Sequence, residues 1–119
     1  MFVGECRNVL FVCSMNKWRS PTAEAIYKSR PLVNARSAGV SSKARRRVSV
    51  KDLEWADVVI TMERKHKQRL QADFPEAMRY KEIHVLEIED LYRFMDPELI
   101  EELERAVDPI LGDEGLGSV

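Results

Sequence analysis

The chain has 119 residues, of which 45% are hydrophobic and 33% are charged, and its formal net charge is −1 at pH 7. This balance is typical of one folded domain, which we expect to span residues 1–119, and it argues against a disordered chain. No apolar run approaches the ~20 residues that a membrane-spanning helix needs, and the apolar stretch near the start is too short for a secretory signal. We therefore expect a soluble, cytoplasmic protein with no membrane partner.

The cysteine content excludes two further classes of protein. The two cysteines, Cys6 and Cys13, are too few for a disulfide scaffold and are not spaced as a CxxC redox pair. The two histidines add too few ligands for a Cys/His zinc site, so we predict no metal. A reduced thiol, either reactive or buried, is the remaining interpretation. Cys6, ahead of the first strand, is taken as structural, and a disulfide with Cys13 is the less favoured alternative.

The charges are unevenly distributed along the chain. Residues 1–50 hold ten lysines and arginines against two acids, whereas residues 51–119 hold nine against eighteen. The basic half could attract an anionic substrate, although a solvated surface explains the asymmetry equally well. A broad basic face with interleaved aromatic residues is absent from the sequence, so we predict no nucleic-acid partner.

In chain order, the first predicted element is a strand. Residues 8–13 (NVLFVC) form a continuous apolar run of high β-propensity, which is typical of a strand buried on both faces in a parallel sheet. Ser20 and Pro21 suit the N-cap and the first helical position, so a helix is predicted from there to about residue 29. Pro31 ends that helix.

The middle of the chain carries weaker signals. Residues 32–37 are a short strand candidate, and Ala38 and Gly39 are predicted to turn out of it. Residues 40–49 are polar and basic and are predicted to form an exposed loop. A short helix is predicted over residues 50–55.

The second half continues the alternation of strand and helix. Residues 57–62 (DVVITM) and 82–88 are predicted strands, and residues 63–72 between them form a charged helix. Asp96 and Pro97 open a last amphipathic helix. The apolar face of that helix carries Leu99, Ile100, Leu103 and Val107.

Four strands that alternate with helices predict an α/β fold, with three α/β/α layers around a central four-stranded parallel sheet. The glycine-rich tail, residues 112–119, is predicted to fray. In such folds ligands bind at the carboxyl ends of strands, beside helix N-termini. The first strand-to-helix loop, residues 13–20, is therefore the first candidate for a functional site.

The 13–20 loop combines a thiol, a guanidinium group and a helix start. It consists of Cys13, Ser14, Met15, Asn16, Lys17, Trp18, Arg19 and Ser20. Free amides and the positive end of the helix dipole favour anion binding here, and together with Arg19 they favour the thiolate form of Cys13. Ser20 either caps the helix or donates a hydrogen bond to the sulfur.

Each of these residues also has a plain structural interpretation. Cys13 alone would be taken for a buried core thiol, and Arg19 alone for a solvated loop residue. A thiol, an arginine six positions later and a Ser-Pro helix start in one loop make both interpretations less favourable. Because the planar fork of Arg19 matches two phosphate oxygens, the combination predicts a phosphate-binding site.

Residues 9–24 (VLFVCSMNKWRSPTAE) resemble the active-site signature of the low-molecular-weight protein tyrosine phosphatase family. That signature is a cysteine, five residues, then arginine and serine, with asparagine third after the cysteine. It is specific when an apolar strand precedes it and Ser-Pro-x-Ala-Glu follows. The resemblance extends to residues 37–39 (SAG), 56–57 (AD) and 96–97 (DP), and so covers most of the chain.

The resemblance implies hydrolysis of a phosphate monoester, expected to be phosphotyrosine, through a phosphocysteine intermediate and without a metal or organic cofactor. By position, Cys13 is the nucleophile, Arg19 clamps the phosphate, Ser20 steadies the thiolate and Asn16 holds the loop in shape. The remaining substrate-binding positions of the loop are Ser14, Met15, Lys17 and Trp18. The implied partner is a phosphorylated protein or a small phosphomonoester, and the sequence does not indicate an oligomeric state.

The resemblance also implies a general acid late in the chain. Asp96 would protonate the leaving oxygen and then activate the water that hydrolyses the phosphocysteine. An aspartate before proline at a helix start is also an ordinary N-cap, and the two roles can coexist. Asp90 is the reserve candidate for the acid.

The chain departs from the family at several positions. Met15 replaces a usual glycine, which matters if that position needs unusual backbone angles. Trp18 replaces a second loop cysteine, so Cys13 cannot form a disulfide with that position. Glu98 and Leu99 stand where an aromatic pair usually follows Asp-Pro.

The aromatic and histidine residues outside the signature give weaker indications. Trp18, Tyr92 and Phe94 are candidate walls for an aryl group, although each also suits ordinary packing. His66 lies in a charged segment (ERKHKQR) and is predicted to be solvated, while His84 lies in a predicted strand. Neither histidine is assigned to catalysis.

Two other functions remain open at this point. An arsenate reductase also occurs on this fold, but it needs additional shuttle cysteines, and none follows Cys13. A non-catalytic phosphate-binding or regulatory module would keep the loop and lose efficient chemistry. The departures at Met15 and at Glu98 and Leu99 motivate that second hypothesis.

Overall fold

The computed structural model describes residues 6–112, so the predicted fraying beyond residue 112 lies outside the described part of the chain. Nine elements follow one another within it. The strands are β1 (Arg7–Cys13), β2 (Val33–Gly39), β3 (Val58–Thr61) and β4 (Glu82–Val85). The helices are α1 (Arg19–Tyr27), α2 (Val50–Trp55), α3 (Arg64–Asp73), α4 (Pro75–Met78) and α5 (Pro97–Leu111).

The four strands form one parallel sheet in the order β2-β1-β3-β4. This confirms the predicted fold class. The register places Cys13, at the end of β1, beside Gly39 at the end of β2. The carboxyl ends of neighbouring parallel strands lie at one edge, so the loops that follow β1 and β3 meet there.

The sheet is buried on both faces, as the continuous apolar run of β1 predicts. Val9 and Phe11 belong to a core layer shared with α1 and α5, while Leu10 and Val12 point to the opposite layer, shared with α2, α3 and α4. Because side chains alternate along a strand, Cys13 falls on the α1–α5 side. The three-layer arrangement thus determines the side of the sheet on which the thiol lies.

The boundaries differ from the predicted ones in several places. β4 ends at Val85, so the prediction that this strand continues to residue 88 is wrong. α1 begins at Arg19 with Trp18 as its N-cap, so the prediction that Ser20 opens the helix is wrong. β2 continues through Ala38 and Gly39, which the sequence predicted to turn out of the strand. The short helix α4, Pro75–Met78, was not predicted.

Gly39 is required by the close approach of the 13–20 loop. A Cβ at this position would lie 2.5 Å from the carbonyl oxygen of Ser14 and 2.6 Å from the Cβ of Ala44. Both distances are far below ordinary contact. Glycine is needed here because the 13–20 loop and Ala44 both pack directly against this position, and not because a turn needs a special backbone angle.

Two helix starts follow the predicted pattern. α2 spans Val50–Trp55 as predicted, and Ser49 and Asp52 form a reciprocal capping box at its start. α5 starts at Pro97, and the side chain of Asp96 accepts a hydrogen bond from the backbone N–H of Glu98 at 2.9 Å. Within residues 6–112, no helix has the length and apolar character that crossing a membrane demands.

Candidate active site

Cys13 lies at the carboxyl end of β1, where the strand meets the 13–20 loop. Its Sγ lies 2.9 Å from Ser20 Oγ and accepts a hydrogen bond from the backbone N–H of Asn16 at 3.3 Å. The residue is only 3% exposed, yet it lines a cavity that opens at this edge of the sheet. The thiol therefore combines a polar environment with access for a small ligand.

Asn16 shapes the loop around the sulfur. It is fully buried and has a φ of 55°, a left-handed conformation in which asparagine is enriched. Its Nδ2 donates to Ser20 Oγ and to Ser37 Oγ, both at 2.9 Å, and Ser37 in turn donates to a Glu24 carboxylate oxygen at 2.5 Å. The left-handed position in this loop is Asn16, and Met15 does not have a positive φ.

The contacts of Ser20 determine the direction of its hydroxyl proton. Because Asn16 donates to Ser20 Oγ, the proton of Ser20 is left for Cys13 Sγ at 2.9 Å or for the carbonyl of Ala38 at 3.5 Å. The sulfur is the nearer acceptor. Of the two roles expected for Ser20, the structure supports the hydrogen bond to sulfur, since the helix cap is Trp18.

Arg19 is 2% exposed and is held by three groups. Its Nη1 donates to a Glu63 carboxylate oxygen at 2.5 Å and to the carbonyl of Ile88 at 2.8 Å, and its Nε lies 3.5 Å from Asp90 Oδ1. Burial raises the pKa of Glu63, but the hydrogen bond and charge of Arg19 outweigh it and hold that pKa below its usual range. Arg19 is thus a buried, fixed cation at the cavity and not a solvated loop residue.

His66 is fully buried, so the prediction that it is solvated is wrong. Its Nδ1 accepts a hydrogen bond from the backbone N–H of Glu63 at 3.0 Å, and its Nε2 lies 2.9 Å from Ser14 Oγ. Since Nδ1 is an acceptor, the neutral ring carries its proton on Nε2 and donates it to Ser14. Burial, reinforced by the charge of Arg19, lowers the pKa of His66 to about 4.

The basic segment at residues 40–49 also contacts the loop. The backbone N–H of Arg45 donates to the carbonyl of Met15 at 3.0 Å, and its Nε donates to the carbonyl of Asn16 at 2.9 Å. Arg46 donates to the carbonyl of Ser37 at 2.7 Å. The polar and basic residues of this segment are largely exposed as predicted, but Val40 and Val48 are buried in the core and two of its arginines brace the site.

The cavity has a volume of about 210 Å³. Its lining residues are Cys13, Met15, Lys17, Trp18, Arg19 and Asp90. The structure therefore brings most of the predicted loop residues together around one space. Ser14 instead directs its hydroxyl to His66, and Asn16 and Ser20 support the loop from beneath.

The two candidate acids occupy different places. Asp90 lines the cavity beside Cys13 and Arg19, whereas Asp96 caps α5 and is not among the described residues that line the cavity. Tyr92, a predicted pocket wall, donates its hydroxyl proton to Glu102 instead. Phe94, the other predicted wall, is 53% exposed and also does not line the cavity.

Trp18 is the aromatic wall of the cavity, and two cations lie close to its ring. Lys17 Nζ is 5.6 Å from the ring centroid and the guanidinium carbon of Arg93 is 5.8 Å from it. Both distances are within the range of cation–π attraction. The mouth of the cavity is therefore both aromatic and basic.

The two cysteines are well separated. Cys6 is exposed and precedes β1, and Cys13 ends that strand, so an extended chain of about 3.3 Å per residue puts them about 20 Å apart. A disulfide between them would require the strand to break. Among residues 6–112, no group of three or more His, Cys, Asp or Glu residues is arranged to hold a metal ion.

Sequence reasoning did not identify the two supporting residues on the far side of the loop. Glu63 and His66 follow β3, whose carboxyl end lies at the same edge as that of β1. Two signals in the sequence pointed to them. Glu63 directly follows a predicted buried strand, and His66 is four residues from Leu70, a spacing that places both on one helix face.

Comparisons with known proteins agree with this geometry. No protein-family model and no curated protein matches the chain. Among solved structures, the YwlE arginine phosphatase from Geobacillus stearothermophilus is 24% identical, with a TM-score of 0.62 over 88% of this chain and 95% of that one. The tyrosine phosphatase Wzb from Escherichia coli K30, solved in complex with phosphate, is 22% identical, with a TM-score of 0.68 over 85% of this chain and 93% of that one.

A third solved structure is a low molecular weight protein tyrosine phosphatase from Bacillus subtilis. It is 29% identical, with a TM-score of 0.56 over 66% of this chain and 69% of that one. The resemblance predicted from the sequence is thereby confirmed. The chain has the fold of the low-molecular-weight protein tyrosine phosphatases, and this likeness supports a cysteine-based phosphatase.

Proposed function

We propose that this chain, which shares the fold of the low-molecular-weight protein tyrosine phosphatases, hydrolyses phosphate monoesters with Cys13 as the nucleophile. The observation that carries the proposal is the environment of the sulfur. Cys13 Sγ accepts from the Asn16 amide, lies 2.9 Å from the Ser20 hydroxyl, and shares a cavity with Arg19 and Asp90. A nucleophile, a fixed cation and a carboxyl group around one small cavity are what phosphoryl transfer requires.

In the first step, the phosphate enters the loop, and its oxygens accept hydrogen bonds from loop amides and from Arg19. The Cys13 thiolate then attacks phosphorus while the bond from phosphorus to the ester oxygen breaks. The departing oxygen takes a proton from Asp90 and leaves as an alcohol or phenol. The enzyme is left with a phosphate group on sulfur and a carboxylate on Asp90.

In the second step, a water molecule attacks the phosphocysteine. Asp90 accepts a proton from that water as the new phosphorus–oxygen bond forms and the phosphorus–sulfur bond breaks. Inorganic phosphate and the Cys13 thiolate result, and Asp90 is again protonated. Arg19 serves both steps because charge on the transferring phosphoryl group is present throughout.

We assign the general acid to Asp90 and not to Asp96. Asp90 lines the cavity and lies 3.5 Å from Arg19 Nε, whereas the side chain of Asp96 is engaged at the N-terminus of α5. A bound phosphate would compete with Asp90 for Arg19 Nε. That competition would free the Asp90 carboxyl to contact the leaving oxygen, as a general acid must.

Phosphotyrosine is the substrate group that we favour. Trp18 supplies an aromatic wall against which a phenyl ring can pack, and the cavity of about 210 Å³ suits a single aryl phosphate better than a large cofactor. Wzb and the Bacillus subtilis structure are tyrosine phosphatases, whereas YwlE is an arginine phosphatase. A phosphorylated protein or a small phosphomonoester would therefore be the partner of this chain.

The assignment of Asp90 can be tested by comparing two leaving groups. Phenyl phosphate needs the acid more than 4-nitrophenyl phosphate does, since nitrophenolate leaves readily without a proton. We expect Asp90→Asn to lower kcat/KM, which reports the steps up to departure of the leaving group, by about 10²–10⁴-fold for phenyl phosphate and much less for 4-nitrophenyl phosphate. The value of kcat should fall for both substrates, because hydrolysis of the phosphocysteine also uses Asp90.

Asp96→Asn is the matched control, because it makes the same change at a residue that caps a helix. Asparagine is also a good N-cap, so we expect little effect on either substrate. Leaving-group dependence that appears in Asp96→Asn and not in Asp90→Asn would reverse the assignment. Cys13→Ser should abolish turnover of both substrates, and full activity in that variant would reject the phosphatase proposal itself.

A further inference from the structure

The positively charged side chains at the cavity differ in whether a nearby carboxylate neutralises them. The Arg19 guanidinium is paired with Glu63 at 2.5 Å and lies near Asp90 at 3.5 Å. By contrast, Lys17 and Arg93 have no carboxylate within 4.0 Å among residues 6–112. The buried cation is thus largely compensated, and the uncompensated charge lies at the rim.

Trp18 holds these two rim cations close to the cavity. Lys17 itself lines the cavity, and Lys17 Nζ and the Arg93 guanidinium lie 5.6 and 5.8 Å from the indole centroid. The two residues come from different segments, the 13–20 loop and the segment before α5. Contact with the same indole ring restrains two flexible side chains that would otherwise spread into solvent.

We propose that Lys17 and Arg93 form a second anion-binding position beside the phosphate cradle, which selects phosphoesters carrying another negative group near the scissile phosphate. This inference rests on the proposed function and specifies its substrate class. A phosphate dianion faces Arg19 at the base, and a carboxylate or second phosphate on the same molecule faces the rim. A phosphotyrosine in an acidic peptide has this chemistry.

The same charges act against substrates of the opposite kind. A cationic group next to the phosphate would meet Lys17 and Arg93, and among residues 6–112 Asp90 is the single carboxylate that lines the cavity. Like charges brought together at short range cost free energy, and the low polarizability of a partly enclosed site increases that cost. The structure therefore assigns this chain a preference for acidic over basic surroundings of the phosphate.

The test uses aryl phosphates that differ in the charge of the para substituent: 4-carboxymethyl, 4-methyl and 4-aminomethyl phenyl phosphate. The quantity measured is the ratio of kcat/KM for the anionic substrate to that for the neutral one. Comparing this ratio between variants cancels differences in leaving group. We expect Lys17→Gln and Arg93→Gln each to lower it about fivefold, and 0.5 M salt to weaken the preference of the unmodified protein.

Lys28→Gln is the matched control, since it removes the same charge just beyond the far end of α1, about 14 Å from the loop. It should leave the ratio unchanged. The double variant Lys17→Gln, Arg93→Gln should also turn over the cationic substrate relatively better than the unmodified protein does. An unchanged ratio in the double variant would overturn the proposal while leaving the phosphatase activity standing.

A binding experiment separates this inference from the proposed function. Titration of Cys13→Ser with phosphonoacetate and with methylphosphonate compares one ligand that has a second negative group with one that lacks it. Tighter binding of phosphonoacetate that Lys17→Gln abolishes supports the second anion position even in a protein without turnover. Equal affinities overturn this inference alone, and failure of both ligands to bind overturns the inference and the phosphate cradle together.

Discussion

His66 links the 13–20 loop to α3, and its burial makes the stability of the protein depend on pH. The ring is fully buried, accepts from the Glu63 amide and contacts Ser14, and its pKa is lowered from 6.5 to about 4 by burial and by Arg19. In the unfolded chain the same side chain takes up a proton below about pH 6.5. The unfolded state then binds more protons than the folded state, so stability falls as pH falls.

The size of this effect follows from the difference between the pKa of His66 in the unfolded chain and its pKa in the folded protein. Between the unfolded pKa of 6.5 and the folded value of about 4, each pH unit costs about 1.4 kcal/mol, so the whole window costs about 3 kcal/mol. That is a large part of the 5–15 kcal/mol typical of a domain. Protonation of His66 at Nδ1 would also place two hydrogen-bond donors, the ring N–H and the Glu63 backbone N–H, opposite each other, so this hydrogen bond would be lost.

Urea denaturation of the unmodified protein and of His66→Gln between pH 7 and pH 4 measures this effect. The carboxylates of the fold also lose stabilising partners in acid, so the informative quantity is the difference between the two proteins. We expect the unmodified protein to lose about 3 kcal/mol more than His66→Gln over this range. His84→Gln, on the edge strand β4, controls for the loss of a histidine.

Equal losses in the unmodified protein and in His66→Gln would refute this reasoning. Direct titration of the His66 ring by nitrogen NMR provides a second test if the variant folds poorly. It should show a neutral ring protonated on Nε2 down to about pH 4. A ring that titrates near 6.5 would mean that His66 reaches solvent.

Two further predictions concern the packing of the loop and its redox behaviour. Gly39→Ala should destabilise the protein by about 1–3 kcal/mol and lower kcat, because the new Cβ would lie 2.5 Å from the Ser14 carbonyl oxygen. Urea denaturation, with Ala38→Gly as the control, measures the change in stability. Unchanged stability in Gly39→Ala would contradict the steric argument. Mild peroxide should inactivate the enzyme without forming a disulfide between Cys6 and Cys13, because β1 holds the two residues about 20 Å apart. Peptide mapping under non-reducing conditions should find no Cys6–Cys13 disulfide. The variant Cys6→Ser should be inactivated at the same rate as the unmodified protein.

The sequence predicts those parts of the fold that depend on local patterns. The strand β1 and the helix α2 were predictable because the residues that specify each of them are neighbours in the sequence. The parallel sheet was predictable from the alternation of strands and helices. The 13–20 loop was recognisable for the same reason. Its thiol, asparagine and arginine are close in sequence, so one short segment contains most of the cradle.

Supporting residues that come from distant segments were harder to predict. The spacing of His66 from Leu70 indicates a common helix face, but the contact of His66 with Ser14 depends on how α3 packs against the sheet, which the local sequence does not specify. Asp-Pro at residues 96–97 suits both a helix cap and an acid, so the local pattern cannot decide between them. The position of Asp90 beside the cavity depends on the path that the chain takes after β4, and the local sequence does not specify that path.

The central claim is that Cys13 becomes phosphorylated during turnover. Rapid quenching of the enzyme in acid, within milliseconds of mixing with 4-nitrophenyl phosphate, should yield one phosphate per chain attached to the Cys13 peptide, together with a stoichiometric burst of nitrophenolate. Asp90→Asn should prolong the lifetime of this species, because the attacking water loses its base. Steady hydrolysis with no burst and no phosphate on Cys13 would contradict the account.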